Sequence, residues 1–146
     1  MIFHHISLNC KDPLATERFY TGHFGFKRAR VVQLPDGRQI VFLKGPNVYL
    51  EIFPAQGERP DVGGHRWGDG PMYPGMRGIS FMVDNIDDQL GAMGSEAHIT
   101  FGPLDFGSFI PGWKSVWLAD PDGNIVQLTQ GFTDQENPPP PPVKLP

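Results

Sequence analysis

The sequence predicts an α+β fold of two βαβββ modules, and three observations predict it. Two stretches, residues 1–53 and 77–130, read alike along their length. Each opens on a strand-like alternation and passes into a helical pattern that has its own start and stop signals. The residues that break regular structure gather outside the copies, in 54–76 between them and in 131–146 after them.

In the first copy, the strand FHHISLNC turns Ile6 and Leu8 to one face and His5, Ser7 and Asn9 to the other. Asp12 and Pro13 suit the N-cap and first turn of a helix through Leu14, Arg18 and Phe19, which Gly22 or Gly25 stops. RQIVFLKGPNVYLEIF then reads as two strands around a turn, with Val48, Leu50 and Ile52 opposite Tyr49, Glu51 and Phe53. In the second copy, Ile79, Phe81 and Val83 oppose Gly78, Ser80 and Met82. Asp84 starts a helix through Ile86, Leu90 and Met93 that Gly94 closes, and KSVWLADPDGNIVQLTQ supplies the last two strands. Val41, Phe42, Leu43 and Pro46 recur as Val116, Trp117, Leu118 and Pro121 at an offset of 75, against 73 at the first strands and 76 at the last. Only small insertions therefore separate the copies.

The aliphatic faces need a hydrophobic cover, and each copy's helix is the candidate. His5, Glu51, Gly78 and Gln127 then all fall on the face away from the helices. Two sheets curling toward each other make a curled mixed β-sheet around a shared cleft on which these four positions converge, with Ser7 and Ser80 beside them as substrate-binding groups. Trp117, read from its repeat mate Phe42, is expected on the helix side in the core, and Cys10 is expected there as a small buried hydrophobe. Phe106, Phe109 and Trp113 lie in GPLDFGSFIPGW, which no regular element claims. They either line an apolar pocket for a flat ligand or pack the loop. His23 sits where a cation complements the end of a helix.

Composition bounds the function. At 146 residues and 16.2 kDa the chain fits one compact domain or two small modules sharing a core. A net charge of −4 and a pI near 5.6 exclude a general attraction to nucleic acid or anionic membrane. The single cysteine excludes an internal disulfide, and the opening MIFHHISLNCKD has neither a basic nor an apolar leader segment. A cytoplasmic protein is the expectation. Ten of the 23 residues in 54–76 are Gly or Pro, so the segment is either a linker or a lid, with His65, Trp67 and Tyr73 large for a spacer. The tail 131–146, with five consecutive prolines, is expected to be a solvated polyproline segment.

HHISLNCKD followed by ERFYTGHFGF, together with DPDGNIVQL near the end, resembles the vicinal oxygen chelate superfamily, also called the glyoxalase/bleomycin-resistance/dioxygenase superfamily. The resemblance covers about residues 1–130. It implies a glyoxalase-like fold, a homodimer, and a metal held at the positions of His5, Glu51, Gly78 and Gln127. Gly78 offers no ligand, so the implied set is His5, Glu51 and Gln127 around Zn, Ni, Mn, Fe or Co. His4 is expected on the wrong strand parity to help, whereas His65 of the long loop could reach the glycine corner. The function so implied is a divalent-metal lyase, isomerase or dioxygenase acting on a small oxygenated metabolite. His5 and Glu51 would be its catalytic residues, with Ser7, Ser80, Phe106, Phe109 and Trp113 contacting substrate. A His and a Glu on neighbouring strands also pair without metal, as a polar floor or a proton-transfer couple. The alternative is therefore a metal-free binding or resistance protein that sequesters an aromatic small molecule.

Overall fold

Alternating branched and polar residues build the first sheet from β1 (His5–Cys10), β2 (Lys27–Gln33), β3 (Gln39–Lys44) and β4 (Tyr49–Pro54), with α1 (Pro13–His23) between β1 and β2. The computed structural model describes residues 1–59, 66–71 and 73–141, so His65 and the end of the proline tail lie outside the described residues. The sheet order is β1-β4-β3-β2, with β1 parallel to β4 and the remaining pairs antiparallel. The second module repeats the plan: β7 (Ile79–Met82), α2 (Ile86–Met93), β8 (Ile99–Asp105), β9 (Lys114–Ala119) and β10 (Ile125–Gln130) give the order β7-β10-β9-β8. A two-stranded ribbon, β5 (Arg66–Trp67) and β6 (Gly70–Pro71), stands between them.

The helix ends follow side-chain chemistry. Asp12 accepts from the amides of Leu14 and Ala15, both at 3.1 Å, and Pro13 opens α1 where no amide partner is needed. α1 runs to His23, and Gly25 takes the turn that follows with φ +69°. α2 is capped by Asn85 rather than Asp84: the Asn85 side chain accepts from the Asp88 amide at 2.9 Å, and Gly94 ends the helix with φ +57°.

Strand parity places the core. Leu8 and Cys10 of β1, Leu50 and Ile52 of β4, and Val126 and Leu128 of β10 are buried beside Tyr20 and Phe19 of α1 and Ile86 and Met93 of α2. Each such aliphatic side chain contributes roughly 1.5–3 kcal/mol by leaving water. Burial also pushes the Cys10 thiol up to about 12 from 9.0, so it stays protonated as expected of a core hydrophobe. Trp117 departs from expectation. In β9 the buried aliphatic positions are Val116 and Leu118, with Ser115 also buried, while Trp117 lies opposite Gln127 and faces away from the helices. Phe42 does the same opposite Glu51, so the repeat is real and both aromatics belong to the open faces.

The modules join through α1 and the turn after β9. Tyr20, fully buried, donates to Asp120 at 2.9 Å, and Asp120 also accepts from the amides of Asp122 and Asn124 and from the Asn124 side chain. Thr16 and the Lys11 amide bind the two oxygens of the Asp122 carboxylate at 2.9 and 2.8 Å. Phe24 stacks on Phe81 with centroids 4.4 Å apart, and Gln89 of α2 donates to the His23 carbonyl. The His23 ring meets Glu96 across the same seam, which gives it a partner beyond the helix end.

Candidate functional site

The open face of the first sheet carries a His–Glu pair. His5 begins β1, and Glu51 lies in β4 opposite Ser7, so the parallel pairing brings all three side chains together. His5 Nε2 stands 3.3 Å from Glu51 Oε2, and Ser7 donates to the same oxygen at 2.7 Å. The other His5 nitrogen is met by His4, Nδ1 to Nδ1 at 2.8 Å, with the His4 ring stacked on Tyr49. One of those two nitrogens must carry the proton, so His4 helps set the tautomer of His5. His4 was expected on the wrong parity. It precedes β1, where the pleat no longer dictates direction, and its ring swings beside His5.

The open face of the second sheet carries a neutral hydrogen-bonded chain. Ser80 donates to Gln127 Oε1 at 2.8 Å, and Gln127 Nε2 donates to Ser115 at 2.9 Å. Ser115 passes a hydrogen bond to Thr129 at 3.0 Å, and Trp113 Nε1 donates to the same oxygen at 2.9 Å. Aromatic rings border this chain: Phe106 lies on Trp113 with centroids 4.6 Å apart, Phe101 meets Trp117 at 5.5 Å, and Phe106 meets Trp117 edge-on. Phe109 stands away from these rings, 78% exposed. Ser115, Thr129 and Trp117 were missed in the sequence. Ser115 and Thr129 are paired across β9 and β10, and that register is the signal that finds them.

His5 and Glu51 therefore form one group, and Ser80, Gln127, Phe106 and Trp113 form another. Among the described residues no hydrogen bond or ion pair joins the two groups. Gly78 lines a cavity of about 460 Å³ that none of His5, Glu51 and Gln127 lines. A Cβ on Gly78 would lie 2.8 Å from the Ile125 carbonyl oxygen, so the position is closed to any side chain unless β10 shifts. The donor chemistry bears on a metal. His5 and Glu51 are close enough to share a cation, but Gln127 uses both ends of its amide within its own sheet, and among the described residues no group of three or more His, Cys, Asp and Glu side chains could hold an ion. Among the described residues, the donors brought together do not by themselves complete the coordination of a divalent metal.

The family model for the Glyoxalase/Bleomycin resistance protein/Dioxygenase superfamily matches residues 2–128, and the chain belongs to that superfamily. Among solved structures it is similar to a glyoxalase family protein from Enterococcus faecalis, at 27% identity and a TM-score of 0.67, over 87% of this chain and 95% of the other. It shares its fold with TnmS3, an antibiotic binding protein from Streptomyces sp. CB03234 (18% identity, TM-score 0.60, 90% and 97% covered). It also shares it with lactoylglutathione lyase from Agrobacterium tumefaciens (24% identity, TM-score 0.56, 90% and 93% covered). No curated protein matches the chain. No described helix is long and apolar enough to cross a membrane.

Proposed function

We propose that this chain is a small-molecule-binding protein of the superfamily that takes a planar aromatic ligand on the open face of its second sheet, with no metal required. The observation that carries the reading is the Gln127 amide, engaged at both ends between Ser80 and Ser115 in a face bordered by Trp113, Trp117, Phe106 and Phe101. Such a face offers ring stacking on one side and a pre-oriented row of neutral donors and acceptors on the other. An aromatic ring with a polar edge matches both. The fold shared with an antibiotic binding protein agrees with this reading. The chain works as a homodimer in this proposal. The exposed Ile99, Phe101 and Leu104 of β8 supply apolar surface for a second copy, which would cover the open faces.

The test is a fluorescence titration of EDTA-treated protein with acridine and 2-naphthol. Saturable quenching of the tryptophans is expected, with affinity about tenfold lower in Trp113→Ala, equivalent to about 1.4 kcal/mol. Loss of binding on EDTA treatment, or unchanged binding by Trp113→Ala, overturns the reading.

The 3.3 Å approach of His5 to Glu51, with Ser7 on the same carboxylate, favours a second reading. It is the metal-dependent lyase, isomerase or dioxygenase, with His5, Glu51 and Gln127 as ligands. Metal content by mass spectrometry separates the two. Near-stoichiometric Zn, Ni, Mn or Fe that His5→Ala loses would establish the second reading.

A further inference from the structure

We propose that the cavity at the junction of the modules is a binding site for a small carboxylate with an apolar body, with Arg59 as its counter-ion. The cavity, about 460 Å³, falls in the range of small-molecule pockets; Gly78, Ala119 and Ile125 of its lining share the open face of the second sheet, but Phe101, Phe106, Trp113 and Trp117 do not line it. Its lining includes the apolar side chains of Leu8, Ile79, Ile125 and Met76. In a chain of net charge −4, its described lining holds two arginines, Arg59 and Arg77, and neither Asp nor Glu.

The two arginines differ. Arg77 is paired with Asp69 at 2.6 Å. Arg59 donates to the Asn124 side chain at 3.1 Å and to the Asp122 carbonyl at 3.5 Å, both neutral acceptors, and makes no ion pair among the described residues. The acceptor that its guanidinium meets is itself held in place. Asn124, which receives it, is itself fixed by its own amide and side chain on the buried Asp120, at 2.8 and 2.9 Å. Asp120 is fixed in turn by Tyr20. A cation beside an apolar hollow, bound to a residue fixed on a buried network and without a carboxylate partner among the described residues, is arranged to receive an anion from outside, although Asp12, Glu58 and Asp122 line the neighbouring hollow that Arg59 also borders.

The walls are also preformed. A Cβ on Gly68 would lie 2.2 Å from the Thr100 carbonyl oxygen, and one on Gly70 would lie 2.6 Å from the Arg77 side chain. Thr100 donates its hydroxyl to the Gly68 carbonyl. The segment around β5 and β6 thus docks on β8 nearly backbone to backbone. Close backbone contacts thus fix part of the wall of the hollow beneath it, beside the longer side chains of Arg59, Met76 and Arg77.

The inference stands apart from the aromatic-face reading, and the probe is chosen to keep them apart: cyclohexanecarboxylate, which has no ring to stack, against uncharged cyclohexanecarboxamide. Both are titrated into the full chain and followed by amide NMR shifts. The acid is expected to bind about tenfold more tightly than the amide. Its shifts should fall on Gly78, Ala119 and Ile125. Arg59→Gln should remove the difference while leaving amide binding unchanged, and Arg59→Lys should restore part of it. Equal affinities, discrimination that survives Arg59→Gln, shifts confined to other residues, or no binding of either probe up to about 10 mM would each overturn the proposal. A failure of Trp113→Ala to affect acridine binding would leave it standing.

Discussion

Replacing Tyr20 by Phe tests how the two modules are held together. Tyr20 is fully buried and donates at 2.9 Å to Asp120, a residue only 4% exposed. The substitution leaves the ring in place against Phe19, Phe24 and Phe26, so no large cavity opens. What is lost is one hydrogen bond to a buried charge, worth about 1.5–3 kcal/mol. Asp120 keeps three other donors, two backbone amides and the Asn124 side chain, so no oxygen is stranded and about 2 kcal/mol is the expected cost. With a urea m-value of about 2 kcal/mol/M for a chain of this size, the midpoint should fall by about 1 M at unchanged m. The control is the cycle with Asp120→Asn. Because the two groups touch, the double variant should recover about 2 kcal/mol of coupling. A midpoint shift below about 0.25 M, or additive losses in the cycle, would show that the Tyr20–Asp120 contact does not join the modules.

Four further outcomes follow. Gly78→Ala forces a Cβ to 2.8 Å from the Ile125 carbonyl oxygen and should cost about 2 kcal/mol in urea unfolding. Gly78→His should cost more, and a Gly78→His protein that folds with wild-type stability and gains a bound metal would refute the closed corner. Cys10 should resist a thiol reagent at pH 8 in the folded protein and react on unfolding, since it is buried and its thiol is pushed up to about 12. Stability should also decline with alkali. Cys10 and Tyr20 both hold their protons more tightly folded than unfolded, so their contribution is complete below pH 9 and is lost as pH rises toward 12. Cys10→Ala should flatten the lower part of that decline, and an identical urea–pH profile would contradict the assignment. Sedimentation should find a dimer, and Phe101→Glu on β8 should shift it toward monomer. A wild-type monomer at micromolar concentration would remove the homodimer from the proposal.

Local pattern carries a long way in this chain. Period-two alternation told which side of β1, β4, β7 and β10 is buried, because a pleat leaves each side chain only two directions. Asp12 and Pro13 marked the start of α1, and Gly94 the end of α2, because unpaired helix-end amides and a positive φ demand those residue types. The pairing of His5 with Glu51 was legible too, once β1 and β4 were seen as neighbours. Trp117 was misread because its repeat mate Phe42 was misread with it. A repeat transfers an orientation faithfully, right or wrong, and only the cross-strand partners Gln127 and Glu51 settle which face is meant.

The sequence by itself determined the two-module plan, the helix boundaries within a residue or two, and the face on which the polar side chains of β1, β4, β7 and β10 stand. These depend on contacts a few residues apart, where backbone geometry leaves few choices. The tertiary structure alone decided how the faces relate. It kept the His5–Glu51 pair apart from Gln127 and Ser80, closed the corner at Gly78 against Ile125, set Tyr20 on an aspartate 100 positions away, and brought Arg59 to Asn124. Those arrangements arise where strands distant in sequence pair and, for Tyr20 and Asp120, where the modules pack on each other. No periodicity within one strand or helix encodes the angle at which a second module meets the first.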